Sequence, residues 1–125
     1  MNVVDSSGWL EFFTDDINAG FFSTAIKDEE KLIVPTISLF EVFKRVLTER
    51  GKDQALEIIA LMYTGKIVDL SKEIALLAAQ LSHEYLLPMA DSIILATARQ
   101  EGATLWTQDE HFKRIDDVKY IDKRY

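Results

Sequence analysis

Apolar residues in this chain come in short clusters that are too brief to be helices by themselves. Val3-Val4, Leu32-Ile33-Val34, Lys66-Ile67-Val68, the run from Ala103 to Thr107 and the run from Val118 to Ile121 each have the length and β-branched or aromatic character of a strand. Between them lie longer stretches with helical spacing. These predict helices over 7–13, 16–27, 36–50, 53–64, 71–85 and 89–101, with Gly51, Gly65 and Gly102 as stops and Ser71 as an N-cap. Pro35 and Pro88 each stand just before a helical pattern, where proline is tolerated. Short apolar strands alternating with helices are the signature of βαβ units, and strands with few polar interruptions suit a parallel sheet covered on both faces. The expectation is an α/β chain: a three-layer α/β/α sandwich around a mostly parallel sheet of about five strands, as a single domain over 1–125.

Size and composition limit what such a domain can do. At 125 residues and 48% hydrophobic, the chain can bury a proper core and is too apolar for disorder. It has no cysteine, so disulfides, thiolate metal sites and cysteine nucleophiles are excluded. His83 and His111 alone are too few for a structural zinc site. The longest apolar runs are six residues, far short of the roughly 20 that cross a bilayer. The first residues also lack the basic start and long apolar stretch of a signal peptide. The expected location is therefore cytoplasmic, with no membrane partner. With 14 basic and 21 acidic residues the net charge is −7, which argues against binding nucleic acid through bulk electrostatics. An enzyme whose carboxylates hold divalent cations remains compatible with that charge.

The positions of the acids are more informative than their number. Binding sites of open α/β sheets form beyond the carboxyl ends of the strands. Asp5 follows the first strand, Glu41 lies one turn into the helix after the second, and Asp109 follows the fourth. Each also has a local reading. Asp5 and Asp109 can cap the helices that follow them, and Glu41 can pair with Arg45 four residues on. Asp91 shares a helix face with Ile94, Leu95 and Ala98, where a carboxylate is costly unless hydrogen-bonded, paired or bound to a cation. Three or four such acids on one edge repel each other, and a hard divalent cation between them relieves this. An all-oxygen set suits Mg²⁺ or Mn²⁺ and disfavours zinc. Asp69 also follows a strand but reads as a polar stop before a helix. His111 could touch a substrate but reads rather as a bystander near the end of the chain, and His83 has no partner at metal-ligand spacing. The tryptophans and phenylalanines read as core, with Leu39, Phe40, Phe43, Val46 and Leu47 forming the inward side of their helix.

Four segments in order carry a resemblance: Val3-Val4-Asp5-Ser6-Ser7, Ile37-Ser38-Leu39-Phe40-Glu41-Val42, the run from Met89 to Ala98, and Thr107-Gln108-Asp109-Glu110-His111-Phe112. Over nearly its whole length the chain resembles the PIN-domain ribonucleases, specifically VapC-type toxins of toxin–antitoxin pairs. The resemblance implies that Asp5, Glu41, Asp91 and Asp109 form an acidic quartet, accompanied by the hydroxyl of Thr107. It further implies Mg²⁺- or Mn²⁺-dependent cleavage of RNA, a homodimer, and an antitoxin whose C-terminal segment blocks the cleft. Ser6, Lys44 and Arg45 are candidates for substrate contact or support, and Arg50, Lys52 and Arg99 for further RNA contact. Two alternatives lie outside this activity: a receiver-like phospho-acceptor module and a PIN-like scaffold without catalysis. The first would need an acidic neighbour for Asp5 and a lysine after the fifth strand, and neither stands out.

Overall fold

In the computed structural model, which describes residues 1–124, five strands form one sheet in the order β3-β2-β1-β4-β5, and every neighbouring pair is parallel. In chain order the elements are β1 (Asn2–Val4), α1 (Ser6–Phe13), α2 (Ala19–Lys27), β2 (Leu32–Pro35), α3 (Thr36–Arg50), α4 (Lys52–Met62), β3 (Lys66–Val68), α5 (Lys72–Tyr85), α6 (Met89–Gln100), β4 (Thr104–Thr107) and β5 (Val118–Tyr120). Short 3₁₀ turns at Glu29–Lys31 and Glu110–Phe112 precede β2 and β5.

The period-two alternation of the central strands builds the three layers. Val3, Ile33 and Leu105 pack on one face with Ile74, Ala78, Ile94 and Ala98 of α5 and α6. Val4, Val34 and Trp106 face the other way, onto Trp9, Phe22, Val42 and Ile58 of α1 to α4. The three central strands bury both faces, which is why Val3-Val4 and Leu32-Ile33-Val34 read as continuous apolar runs. The approach of α1 to β1 and α2 depends on Gly8, where a Cβ would lie 2.6 Å from both Phe22 and Val4 side-chain atoms. No larger residue fits without moving α1.

The predicted elements are all present, with two instructive differences. The second helix begins at Ala19 rather than at 16, because Asp15 adopts φ 51° and the Asn18 side chain is engaged elsewhere. On α3 the buried positions are Ser38, Val42 and Val46, while Phe40 and Leu47 are 61% and 42% exposed. The expected inward side of that helix is therefore rotated, and Phe40 is surface rather than core. Ser71 caps α5 as expected, its hydroxyl accepting from the Ile74 N–H at 3.1 Å. Among the described residues no helix is long and apolar enough to cross a membrane.

Candidate metal centre

The carboxyl edge of the three middle strands carries the acids. Beyond Val4 the β1–β4 ladder is prolonged by one bond, the Asp5 N–H donating to the Trp106 carbonyl at 3.1 Å. This holds Asp5 at the sheet edge, 2% exposed. Its two carboxylate oxygens are engaged on different sides. As the N-cap of α1, its Oδ1 accepts from the Gly8 N–H at 2.9 Å and the Ser7 hydroxyl at 2.8 Å. Its Oδ2 accepts from the Thr107 hydroxyl at 2.5 Å, and that same hydroxyl accepts from the Asp109 N–H at 2.9 Å. Thr107, fully buried, thus ties the ends of β1 and β4 together. Burial pushes the Asp5 carboxyl up to about 7 despite its three donors, and the charge of Asp109 adds to the rise.

Glu41 sits half-buried on α3, and its Oε1 accepts from the Ser6 hydroxyl at 2.7 Å. The i,i+4 pairing with Arg45 does not form; Arg45 turns to Glu49 instead. Asp91 reaches the same edge through the direction of its helix. A crossover helix runs antiparallel to the strands it joins, so the first turn of α6, where Asp91 is the third residue, lies over the carboxyl ends. Burial raises its carboxyl to about 6, Asp109 and Glu41 add to the rise, and His111 works against it. Asp109 caps the following 3₁₀ turn, its Oδ1 accepting from the His111 N–H at 2.9 Å.

The four acids, Ser6, Lys44 and Arg45 line one cleft of about 510 Å³, with Leu10 and Phe40 on its apolar side. The more distant basic candidates are elsewhere. Arg99 pairs with Asp117 at 3.0 Å. It is eight residues along α6 from Asp91, or about 12 Å at the helical rise of roughly 1.5 Å per residue. Arg50 and Lys52 flank the α3–α4 junction and do not line the cleft. Asp69 follows the edge strand β3, two strands away from β1, and so stays outside the site.

His111, for which the sequence shows no partner, stands against two of the acids. Its Nδ1 lies 2.8 Å from Asp91 Oδ2 and 3.0 Å from Asp109 Oδ1. Burial, the largest single influence, works against its charge, but Asp109 and Asp91 together more than offset that, so it holds its proton above the ordinary histidine range. Asp91, Asp109 and His111 offer ligand atoms that all lie within 4.8 Å of one another. The sequence signal was the spacing Asp109-Glu110-His111 directly after a strand end. Asp91, the partner that reveals its meaning, is 20 residues away.

The family model for the PIN domain matches residues 3–118. The chain belongs to the PIN domain family. Membership leaves the receiver-like alternative without a basis. No curated protein matches the sequence, but solved structures match the fold. A toxin–antitoxin complex from Klebsiella pneumoniae superposes with a TM-score of 0.79 at 23% identity, over 94% of this chain and 95% of that one. VapC20 of Mycobacterium tuberculosis, a sarcin–ricin loop cleaving toxin, gives 0.78 at 16% identity over 95% and 98%. VapBC2 of Rickettsia felis, bound to a DNA fragment from their promoter, gives 0.74 at 19% over 97% of each chain. At these identities the likeness is one of fold: this PIN domain has the architecture of those toxins.

Proposed function

We propose that this PIN domain is a divalent-cation-dependent endoribonuclease, the toxin of a VapBC-type toxin–antitoxin pair, acting in the cytoplasm. One observation carries the reading: four carboxylates from β1, α3, α6 and the end of β4 line a single cleft, where Asp5 and Asp91 are driven toward neutrality, to about 7 and about 6. Such a set is electrostatically incomplete, and a hard dication supplies the missing charge. The donor set fits Mg²⁺ or Mn²⁺. Asp5, Asp91 and Asp109 would hold the ion, with Glu41 as a ligand, directly or through water, or as the base. Bound there, the ion would lower the pKa of a water molecule and offset charge on the phosphate under attack.

The chain's own side chains supply the rest. Ser6 orients Glu41 by donating to it, which leaves the other carboxylate oxygen available to a water or its proton. Thr107 fixes Asp5 against the backbone of Asp109, so that the spacing of the two acids is set before any ion arrives. Lys44 and Arg45, on the rim beside Glu41, would receive phosphates of the RNA. A net charge of −7 requires that contact to be local. Large apolar side chains stay exposed on α3 and α4 (Phe40, Leu56, Tyr63) and on α5, α6 and the loop between them (Leu76, Leu86, Met89). Phe40, Leu56 and Tyr63 line one apolar groove, which supports partners of the kinds proposed, the antitoxin and a second copy of the chain.

Incubating the purified chain with RNA, with Mg²⁺ or Mn²⁺, tests the reading. Endonucleolytic products are expected that disappear with a chelator and return when excess metal is added. Cleavage untouched by chelation would remove the metal. Intact RNA under all conditions would leave only a scaffold.

A further inference from the structure

His111 is the one member of the cation cluster for which the quartet has no use. Its placement is tightly determined. The 3₁₀ turn that bears it is anchored by Phe112, fully buried, and by the bond from its own N–H to Asp109 Oδ1 at 2.9 Å. From that anchor the ring reaches two of the acids, with Nδ1 at 2.8 Å from Asp91 Oδ2 and 3.0 Å from Asp109 Oδ1. Adjacent ligands of an octahedral ion with bonds of about 2.1 Å are themselves about 3.0 Å apart. The nitrogen therefore already stands, relative to each carboxylate, where a neighbouring ligand on a shared ion would stand.

We infer that His111 supplies Nδ1 as a nitrogen ligand to a divalent cation held by Asp91 and Asp109, making this centre selective for Mn²⁺ over Mg²⁺. The inference rests on the metal-dependent reading above. Its chemistry is that of the donor set: Mg²⁺ is held almost entirely by oxygen, whereas imidazole nitrogen suits later and softer ions, and Mn²⁺ accepts both. A neutral imidazole also adds no charge to a centre whose carboxylates already exceed what one dication offsets. The ring is 56% exposed, so its proton has a path to water when the ion enters and Nε2–H can remain turned to solvent. Asp5, already the acceptor of three hydrogen bonds, remains with them as the third carboxylate of the proposed centre.

Pulsed electron paramagnetic resonance of Mn²⁺ bound to the full chain reads the ligand directly. Nitrogen-14 modulation from one imidazole is expected in the unaltered protein, retained in His83→Gln and absent in His111→Gln. His83 is exposed on α5, so the two variants separate the only two histidines in the chain. In competition titrations His111→Gln should lower Mn²⁺ affinity by about tenfold or more while changing Mg²⁺ affinity little. Mn²⁺ bound without nitrogen modulation in the unaltered protein would overturn the inference and leave the carboxylate centre standing. Failure of the unaltered protein to bind Mn²⁺ at all would overturn the centre itself, and the inference with it.

Discussion

Helix α1 separates two groups of buried polar residues that solve the same electrostatic problem in opposite ways. At its start Asp5 faces Asp109, and beyond them lie Asp91 and Glu41. Near its end Glu11, only 5% exposed, has a donor on each carboxylate oxygen. Its Oε2 accepts from the Asn18 N–H at 2.9 Å and its Oε1 from the Gln108 amide at 3.0 Å. The Asn18 amide in turn donates to Gln108 Oε1 at 2.9 Å and to the Asp122 carbonyl at 3.0 Å. This clasp joins α1, the loop before α2, the end of β4 and the chain after β5, and it spreads one buried charge over fixed dipoles. In the cleft even Asp5, with three donors, still feels the charge of a second carboxylate, Asp109. The contrast is not in the number of donors but in the second carboxylate that Asp5 faces, and on the proposed reading a cation answers it.

The largest effect that would break this comparison is loss of chemistry without loss of fold. Asp91→Asn should reduce RNA cleavage by at least about 100-fold while the melting temperature stays the same or rises, because a repulsive charge has been removed. Glu11→Ala should do the reverse. It leaves two donors without their partner, costing about 2–4 kcal/mol in urea unfolding, while cleavage per folded molecule is retained.

A smaller effect follows from Asp5. Its carboxyl has a folded-state value of about 7 against 3.8 as the ordinary value. Between those pH values the native state holds a proton that the unfolded chain has released, so stability falls as pH rises. That contribution is complete below pH 3.8 and gone above about 7. Urea midpoints of the metal-free protein should decline across this window, Asp91 adding in the same direction up to about 6. Asp5→Asn, which keeps the cap acceptor but carries no charge, should flatten the decline by a few kcal/mol, to order of magnitude. Equal slopes in the two proteins would mean that Asp5 is ionised and content without a cation.

Strand and helix order were legible because burial on both sheet faces writes unbroken apolar runs into Val3-Val4 and Leu32-Ile33-Val34. Asp5, Glu41 and Asp109 were legible because parallel strands send their carboxyl ends to one edge. What escaped was whatever depends on contacts between distant elements. Phe40 carries the same helical spacing as a core residue, and only the seating of α3 beside α1 and α4 leaves it exposed. Gln108 and Glu11 are 97 positions apart, and nothing local distinguishes either from a surface amide or a surface acid. His111 acquires meaning only when the first turn of α6 is laid over the end of β4.

Calorimetric titration of the metal-free chain with Mn²⁺, repeated on Asp91→Asn, tests the gathering of these acids around an ion most directly. The account predicts a saturable site in the unaltered protein that is lost or greatly weakened in the variant, with protons released on binding in the pH range where Asp5 and Asp91 titrate. Equal binding by both proteins, or none by either, would contradict it.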